Sequence, residues 1–142
     1  MKYMPHHYQT ILKKLLTRLR LNVDKIYDEN GLRRLLSLNN SSKVVDYLCH
    51  EINCEYIIVE LTKSNVSKAI KQIEFIAETL RTSNLLLKEI ILYVESLGRE
   101  RKKYKIRNSC LYEKRGRKLI PVIIKTMRGH KSIKIFTKES IQ

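Results

Sequence analysis

The sequence predicts a single α/β domain over residues 1–142, with a central mixed sheet flanked by helices. Three observations support this fold class. Two segments, residues 6–20 and 66–80, carry apolar residues at helical spacing. Residues 44–62 contain two runs rich in β-branched and aromatic residues, which is typical of strands. A third strand-like run follows the second helix, as a parallel crossover requires.

The first predicted helix spans residues 6–20 and is amphipathic. Its apolar stripe consists of Tyr8, Ile11, Leu12, Leu15 and Leu19. Lys13 and Lys14 lie outside this stripe and predict a basic outer face. The pattern of residues 21–43 fits either a short helix or a strand, and N-N-S-S near its end indicates a turn.

A hairpin and a second helix are predicted next. The strand-like runs 44–51 and 55–62 are separated by only three residues, which favours an antiparallel hairpin. Ser64 or Asn65 can cap the helix that follows, and this helix is expected to end near Asn84. Its apolar face consists of Val66, Ala69, Ile70, Ile73, Ile76, Ala77 and Leu80.

The C-terminal third is harder to interpret. Residues 85–96 fit a helix or a strand, and we favour a strand over residues 89–95 because a βαβ crossover returns the chain to the sheet there. A helix is expected from about Glu100 in the cationic segment. Residues 118–127 and 131–138 flank R-G-H and predict a terminal hairpin. Its first strand is expected to be an edge strand or to start at Pro121.

The charge balance points to a polyanionic partner. Lys and Arg outnumber Asp and Glu by 29 to 14, which gives a formal net charge of +15. Nucleic acid is the polyanion that such a field favours, and a solvated basic surface or a membrane-surface binder is the alternative. The N-terminus lacks the apolar core of a signal peptide, and no run is long enough to cross a membrane. We therefore expect an intracellular protein that binds DNA.

The residues expected to contact DNA are cationic and lie in two places. Most belong to the runs R-E-R-K-K-Y-K-I-R and K-R-G-R-K, where tyrosines are interleaved; the others lie on the first helix. They are Lys13, Lys14, Arg101, Lys102, Lys103, Arg107, Lys114, Arg115, Arg117 and Lys118. A solvated cationic helix is the alternative interpretation of the two runs.

Two acids stand out in the predicted hairpin. Asp46 and Glu60 are 14 positions apart, so an antiparallel pairing can bring them close to each other. Two like charges repel unless a cation lies between them, and Mg²⁺ prefers carboxylate oxygens. The alternative places both acids on a solvent-exposed face of the sheet, paired with lysines.

These residues resemble the PD-(D/E)xK, or restriction-endonuclease-like, nuclease superfamily, in its NucS/RecB-like or Holliday-junction-resolvase-like branch. V-D-Y-L matches the strand with the first acid, V-E-L-T-K the strand with the second, and K-Q-I-E-F-I-A-E the helix with a glutamine; the match covers about residues 40–95. The resemblance implies a restriction-endonuclease-like core and a homodimeric DNA endonuclease dependent on Mg²⁺ or Mn²⁺. Asp46 and Glu60 would hold the metal, Lys63 would assist catalysis, and Gln72 would support the rim of the site.

The match to the family pattern is incomplete. The family lysine stands two residues after the second acid, where this chain has Thr62, and Lys63 follows one position later. Strand alternation points Thr62, and not Lys63, to the side of Glu60, unless a bulge re-aims the strand end or Lys68 or Lys71 substitutes. A non-catalytic DNA-binding protein on the same scaffold is therefore the alternative function.

A cluster of possible zinc ligands is present in the hairpin region. Cys49, His50 and Cys54 lie close together in the sequence, but a second pair at zinc-finger spacing is missing. We favour buried structural cysteines for this cluster. The odd total of three cysteines does not suggest a disulfide framework.

Overall fold

The fold is described from a computed structural model. The backbone is described for residues 6–95, 103–106, 109–115, 118–121, 125–126, 129–130 and 133–137, and the side chains for residues 8–95 and 133–136. Three helices are described, α1 His6–Arg18, α2 Glu29–Leu35 and α3 Val66–Thr82. The strands are β1 Val23–Tyr27, β2 Tyr47–Glu51, β3 Glu55–Thr62, β4 Leu86–Val94, β5 Lys103–Ile106, β6 Ser109–Arg115, β7 Lys118–Pro121, β8 Lys125–Thr126, β9 Gly129–His130 and β10 Ile133–Thr137.

A five-stranded mixed sheet forms the centre of the fold, in the order β1-β2-β3-β4-β10. The pairs β1–β2 and β2–β3 are antiparallel, whereas β3–β4 and β4–β10 are parallel. The carboxyl ends of β1, β3, β4 and β10 therefore lie at one end of the sheet, together with the start of β2. The α/β class and the mixed sheet flanked by helices, both predicted from the sequence, are confirmed.

Each face of the sheet has its own apolar core. One core joins α2 and α3 to residues such as Leu48, Ile58 and Leu92, and we call this the α3 side. The other joins α1 to residues such as Cys49, Val59 and Leu61, and we call this the α1 side. Successive residues of β2, β3 and β4 therefore point alternately into the two cores, so both faces of these strands are apolar. This is typical of a sheet covered by helices on each side.

The helix predicted after the hairpin is present as α3. Asn65 is its N-cap, and the side-chain oxygen of Asn65 accepts a hydrogen bond from the backbone N–H of Lys68 at 3.1 Å. The helix ends at Thr82, and Asn84 then adopts a φ of 58°, which breaks the helical path. Six of the seven predicted apolar positions are buried, and Ala77 is half-buried.

The elements on either side of α3 also agree with the predictions. The hairpin is formed by β2 and β3, and β4 is a strand that begins at Leu86, three residues earlier than expected. The ambiguous segment 21–43 contains both a strand, β1, and a short helix, α2. The N-N-S-S turn is held by Asn39, whose side-chain oxygen accepts hydrogen bonds from Ser41 and Ser42.

Two predictions for the C-terminal third are wrong. The helix expected from about Glu100 is contradicted by β5 and β6, which form a three-stranded antiparallel sheet with β7. The expected terminal hairpin is replaced by a shorter pairing of β8 with β9, and β10 instead joins the main sheet beside β4. Pro121 is the last residue of β7, which is an edge strand of the three-stranded sheet, as expected for a strand that contains proline.

The helices of the described residues were compared with the length and apolar content that a membrane span needs, and none of them reaches both. The described residues leave out 1–5, 138–142 and several gaps after residue 95.

Candidate functional site

The two acids singled out in the sequence lie at the end of the sheet where β2 starts. Tyr47, the first residue of β2, pairs with Val59 on β3. Asp46 therefore comes one residue before β2, and Glu60 one residue beyond that pair on β3. Both acids occupy the end of the sheet that carries the carboxyl ends of the parallel strands, which is where ligands commonly bind in α/β folds.

Hydrogen bonds cross between the two strands and link the acids. The backbone N–H of Asp46 donates to Oε1 of Glu60 at 2.9 Å. In the other direction, the backbone N–H of Leu61 donates to Oδ2 of Asp46 at 2.8 Å. Each carboxylate thus takes the place of a backbone carbonyl at the open end of the hairpin. This reciprocal arrangement brings Asp46 and Glu60 together and fixes both side chains.

Both acids are buried. The exposed fraction is 1% for Asp46 and 3% for Glu60. The alternative that places both acids on a solvent-exposed face is therefore wrong. Burial of a carboxylate is unfavourable unless hydrogen bonds or a cation compensate it, and the backbone N–H groups of Asp46 and Leu61 supply part of this compensation.

The residues after Glu60 follow the strand alternation. Ile58 belongs to the α3 side and Leu61 to the α1 side, so Glu60 and Thr62 both face the α3 side. Lys63 comes after the end of β3 and is exposed. The structure therefore places Thr62 on the face of Glu60, and strand alternation does not extend to Lys63. β3 contains no bulge between these positions in its pairing with β4 that would re-aim the lysine.

Gln72 lies on α3, which packs on the same face of the sheet. It is half-buried at the flank of the stripe formed by residues such as Ala69, Ile73 and Ile76. That position agrees with the one expected from the helical spacing. The structure thus brings Asp46 and Glu60 together, keeps Gln72 on the same side of the sheet, and places Lys63 just beyond the end of β3, exposed to solvent.

The donor set of the two acids fits a hard divalent cation. Carboxylate oxygens are the ligands that Mg²⁺ and Mn²⁺ prefer, and Mg²⁺ often takes only one or two protein carboxylates beside water and phosphate. A carboxylate has about four lone-pair positions, so one backbone N–H bond does not prevent metal binding. Among residues 8–95 and 133–136, the structure contains no group of three or more potential metal ligands. A pair of carboxylates is therefore the full protein donor set that can be assigned.

The zinc ligands considered from the sequence do not come together. Cys49 is buried, and burial raises the pKa of its thiol to about 12. Nδ1 of His50 lies 2.7 Å from Oδ1 of Asp24. Cys54 occupies the hairpin turn with a φ of 68° and is exposed, so the expectation of buried cysteines holds for Cys49 and is wrong for Cys54.

Only part of the predicted DNA-contacting surface lies in the described region. Lys13 and Lys14 are exposed on α1, as predicted. Arg101, Lys102, Arg107 and Arg117 lie outside the described residues, and for Lys103, Lys114, Arg115 and Lys118 the structure describes only the backbone of β5, β6 and β7.

A cleft that was not anticipated from the sequence lies at the same end of the sheet as the acids. It has a volume of about 440 Å³ and lies between α1, the end of β1, α2 and the start of β2; we call it the α1–α2 cleft. Gln9 and Lys13 line it from α1, Arg34 from α2, and Tyr27 and Tyr47 from the strands. Its residues are far apart in the sequence, and the only available signal was the exposed position of Lys13.

Tyr47 belongs to the cleft and not to the acidic pair, because it packs on the α1 side whereas Glu60 faces the α3 side. It follows Asp46 directly in the chain, lines the cleft and is itself buried. Burial of the ring, followed by the negative charges of Asp46 and Asp28, raises the pKa of the Tyr47 phenol. The hydroxyl is therefore protonated at neutral pH and is available as a hydrogen-bond donor.

The fold and the site define a helix-flanked α/β domain with a buried acidic pair at the carboxyl end of its mixed sheet. Comparison with protein-family models, with curated proteins and with solved structures finds no match for this chain.

Proposed function

We propose that the protein is a DNA-binding, metal-dependent endonuclease that hydrolyses phosphodiester bonds. The observation that carries this proposal is the reciprocal bonding of Asp46 and Glu60, which holds two buried carboxylates together at one end of the sheet. A net charge of +15 adds an attraction for the polyanionic substrate.

The order of the elements supports the same proposal. α1, the β2–β3 hairpin, α3 and β4 occur in the order that the resemblance to the PD-(D/E)xK superfamily implies, with β1 and α2 between α1 and the hairpin. The first acid precedes β2, the second lies near the end of β3, and Gln72 lies on the helix that follows. A restriction-endonuclease-like core and a homodimer are parts of this proposal.

The residues have distinct roles in the proposed reaction. Asp46 and Glu60 would hold Mg²⁺ or Mn²⁺, and the backbone donors of Leu61 and Asp46 orient the two carboxylates. When bound, the ion supplies Lewis-acid polarisation of the phosphate and a lowered pKa for its water. Gln72 supports the rim from α3. Lys63, one residue past β3, would reach the phosphate only through a bend of the strand end.

A second candidate function is non-catalytic DNA binding on the same scaffold. The observation that favours it is the position of Thr62, which occupies the face of Glu60 where the family lysine would lie. A hydroxyl carries no positive charge, so the transition state would lack the stabilisation that an ammonium group provides. In this second candidate function, the protein binds DNA through its basic surface and does not hydrolyse it.

Incubation with DNA separates the two candidates. Supercoiled, linear and branched DNA are incubated with Mg²⁺, with Mn²⁺ or with a chelator, and the wild type is compared with Asp46→Asn and Glu60→Gln. The proposed nuclease cleaves only with metal, and both substitutions abolish cleavage while leaving binding intact. Cleavage that persists in both variants would place the reaction elsewhere. Salt-sensitive binding without any cleavage would support the second candidate.

The role of a basic side chain beside Glu60 is tested separately. Thr62→Lys puts an ammonium group on the face of Glu60, and we expect it to increase cleavage, whereas Thr62→Met adds a side chain of comparable length without charge and should not. Lys63→Ala lowers cleavage if the strand end bends in the complex. Equal activity of Thr62→Lys and Thr62→Met would argue against a role for a cation at this position.

A further inference from the structure

The strand β1 forms one edge of the five-stranded sheet, and within the described part of the chain it pairs with β2 alone. Its N-terminal half is protected as edge strands commonly are, because a register shift interrupts the pairing between Val23 and Lys25 and because Lys25 is exposed. From Lys25 to Tyr27 the pairing is regular, and Ile26 is 48% exposed. This stretch therefore offers backbone groups and an apolar side chain to a further strand.

The α1–α2 cleft extends around this edge. α1 packs on one face of the sheet and α2 on the other, yet both line the cleft, with Ile26 and Tyr27 of β1 between them. A cavity lined from both faces of a sheet crosses its edge, and β1 is the edge strand here. The volume of about 440 Å³ lies within the range of about 300 to 1,000 Å³ that is usual for ligand sites. The cleft can therefore accept side chains of a strand that lies along β1.

The acids near this edge already have hydrogen-bond partners. Oδ1 of Asp24 on β1 lies 2.7 Å from Nδ1 of His50 on β2. Oδ1 of Asp28, which lines the cleft, accepts the backbone N–H of Gly31 at 2.8 Å and caps α2. Each of these carboxylates is thus held by a group of the protein itself.

The cations near the edge are not neutralised in this way. Lys13 lines the cleft from α1 and Arg34 from α2, and both are exposed. Among residues 8–95 and 133–136, neither of them forms an ion pair. Lys25 is also exposed, with its Nζ 6.0 Å from the centre of the Tyr27 ring. Positive groups around an open strand favour a partner that carries negative charge.

We propose that β1 binds an acidic segment of a protein partner in extended conformation. The segment adds as a strand to the open edge, an apolar side chain packs on Ile26, and acidic side chains lie near Lys13 and Arg34 in the cleft. Hydrogen bonds along the backbone supply the affinity of such strand addition, and the side-chain positions supply its specificity. This inference goes beyond the proposed function, and neither depends on the other.

Two other occupants fit these observations less well. DNA has no backbone N–H groups that could continue a sheet, and the exposed side chain of Ile26 offers no hydrogen bond to a phosphate. A second copy of the chain carries the same formal net charge of +15 and is repelled. An acidic peptide matches the open backbone, the apolar side chain and the cations together.

Fluorescence anisotropy with synthetic peptides tests the strand addition. The probe is a labelled peptide in which glutamate and valine alternate, and lysine replaces glutamate in the control peptide. We expect the protein to bind the probe at least about tenfold more tightly than the control peptide. Two N-methylated versions of the probe each block the N–H groups along one edge of the peptide strand. One version should bind like the probe and the other at least about tenfold more weakly; unchanged affinity of both would refute strand addition.

Substitutions around the edge test the position of the site. Ile26→Ser removes the exposed apolar side chain and should weaken binding of the probe roughly tenfold. Lys13→Ala and Arg34→Ala each remove one cation from the cleft and should weaken binding roughly fivefold. Lys14→Ala is the matched control, because Lys14 follows Lys13 on α1, is also exposed and does not line the cleft. A loss in Lys14→Ala equal to that in Lys13→Ala would indicate attraction by the overall charge and would overturn the assignment.

The other two occupants are distinguished with the Ile26→Ser variant. If DNA occupied the edge, the substitution would weaken binding of a blunt DNA duplex as much as it weakens binding of the probe. If a second copy occupied the edge, the substitution would convert a dimer to a monomer in analytical ultracentrifugation. Either result would refute the acidic segment. Unchanged duplex affinity and an unchanged oligomeric state, together with weaker binding of the probe, would support it.

Discussion

Substitution of Asp46 separates a structural role of the acidic pair from a metal-binding role. The Asp46 carboxylate accepts the backbone N–H of Leu61 at 2.8 Å in a buried environment. Asparagine keeps an oxygen that can accept this bond and removes the negative charge. Alanine removes both the charge and the acceptor. The two substitutions therefore differ in the hydrogen bond and agree in the lost charge.

The expected magnitudes follow from that difference. Asp46→Ala leaves the buried Leu61 N–H without its acceptor, which lowers the free energy of unfolding by about 1 to 3 kcal/mol. For a domain of this size the melting temperature falls by roughly 4 to 12 °C. Asp46→Asn should lower it by less than about 1 kcal/mol because the acceptor is retained. Cleavage should fall at least about hundredfold in both variants, since a metal ligand is lost.

Thermal unfolding with and without Mg²⁺ provides the assay, alongside DNA cleavage. Metal that binds only the folded state raises the melting temperature of the wild type, and this rise should vanish in Asp46→Asn. Glu55→Gln is the control, because it makes the same chemical change at the opposite end of β3. If Asp46→Asn cleaves DNA as fast as the wild type, or keeps the full Mg²⁺ effect, the metal-binding role of Asp46 is refuted.

Three further predictions concern stability and reactivity. Ile73→Ala creates a cavity between α3 and the sheet and should lower the free energy of unfolding by about 2 to 5 kcal/mol, measured by urea denaturation. Lys88→Met removes the cation that bonds Oε1 of buried Glu51 at 2.7 Å and that lowers the pKa of this carboxyl. The resulting loss in melting temperature should be full above the unfolded pKa of about 4.3 and should disappear as pH falls through the lower folded pKa. A thiol reagent should label Cys54 in the folded protein and Cys49 only after unfolding, because burial raises the pKa of the Cys49 thiol to about 12.

For each of these three predictions, a specific experimental result would contradict it. Phe75→Ala, at a position on α3 that is 42% exposed, should change stability little, and a loss equal to that of Ile73→Ala would contradict the packing. A loss from Lys88→Met that persists at low pH would contradict the Glu51 ion pair. Labelling of the folded protein that is unchanged in Cys54→Ser would contradict the exposure of that thiol.

The sequence was sufficient for elements that are determined by local periodicity. The α3 stripe and its Asn65 cap are local features, so the helix was predicted close to its observed bounds. The β2–β3 hairpin was predicted because three residues between two strand-like runs leave little choice of pairing. Asp46 and Glu60 were singled out because a charge inside such a run requires compensation.

The errors arose from a local pattern that was misinterpreted and from pairings between distant segments. The segment K-Y-K-I alternates charged and apolar residues, which is strand periodicity, yet the density of charge led us to expect a helix. Gly129 and His130 of the R-G-H stretch form β9, which pairs with β8, and β10 pairs with β4 from far along the chain. The α1–α2 cleft depends on the packing of two helices against two strand ends, which no single segment encodes.

The late arrival of β10 has a consequence for synthesis on the ribosome. The strands β1 to β4 are contiguous in the sequence, whereas β10, which covers the outer edge of β4, is the last strand described. Until it emerges, the nascent chain presents the apolar strand β4 with its backbone donors and acceptors open on one side. Such an edge is a template for pairing with other chains, so we expect the nascent chain to be prone to aggregation until β10 has paired with β4.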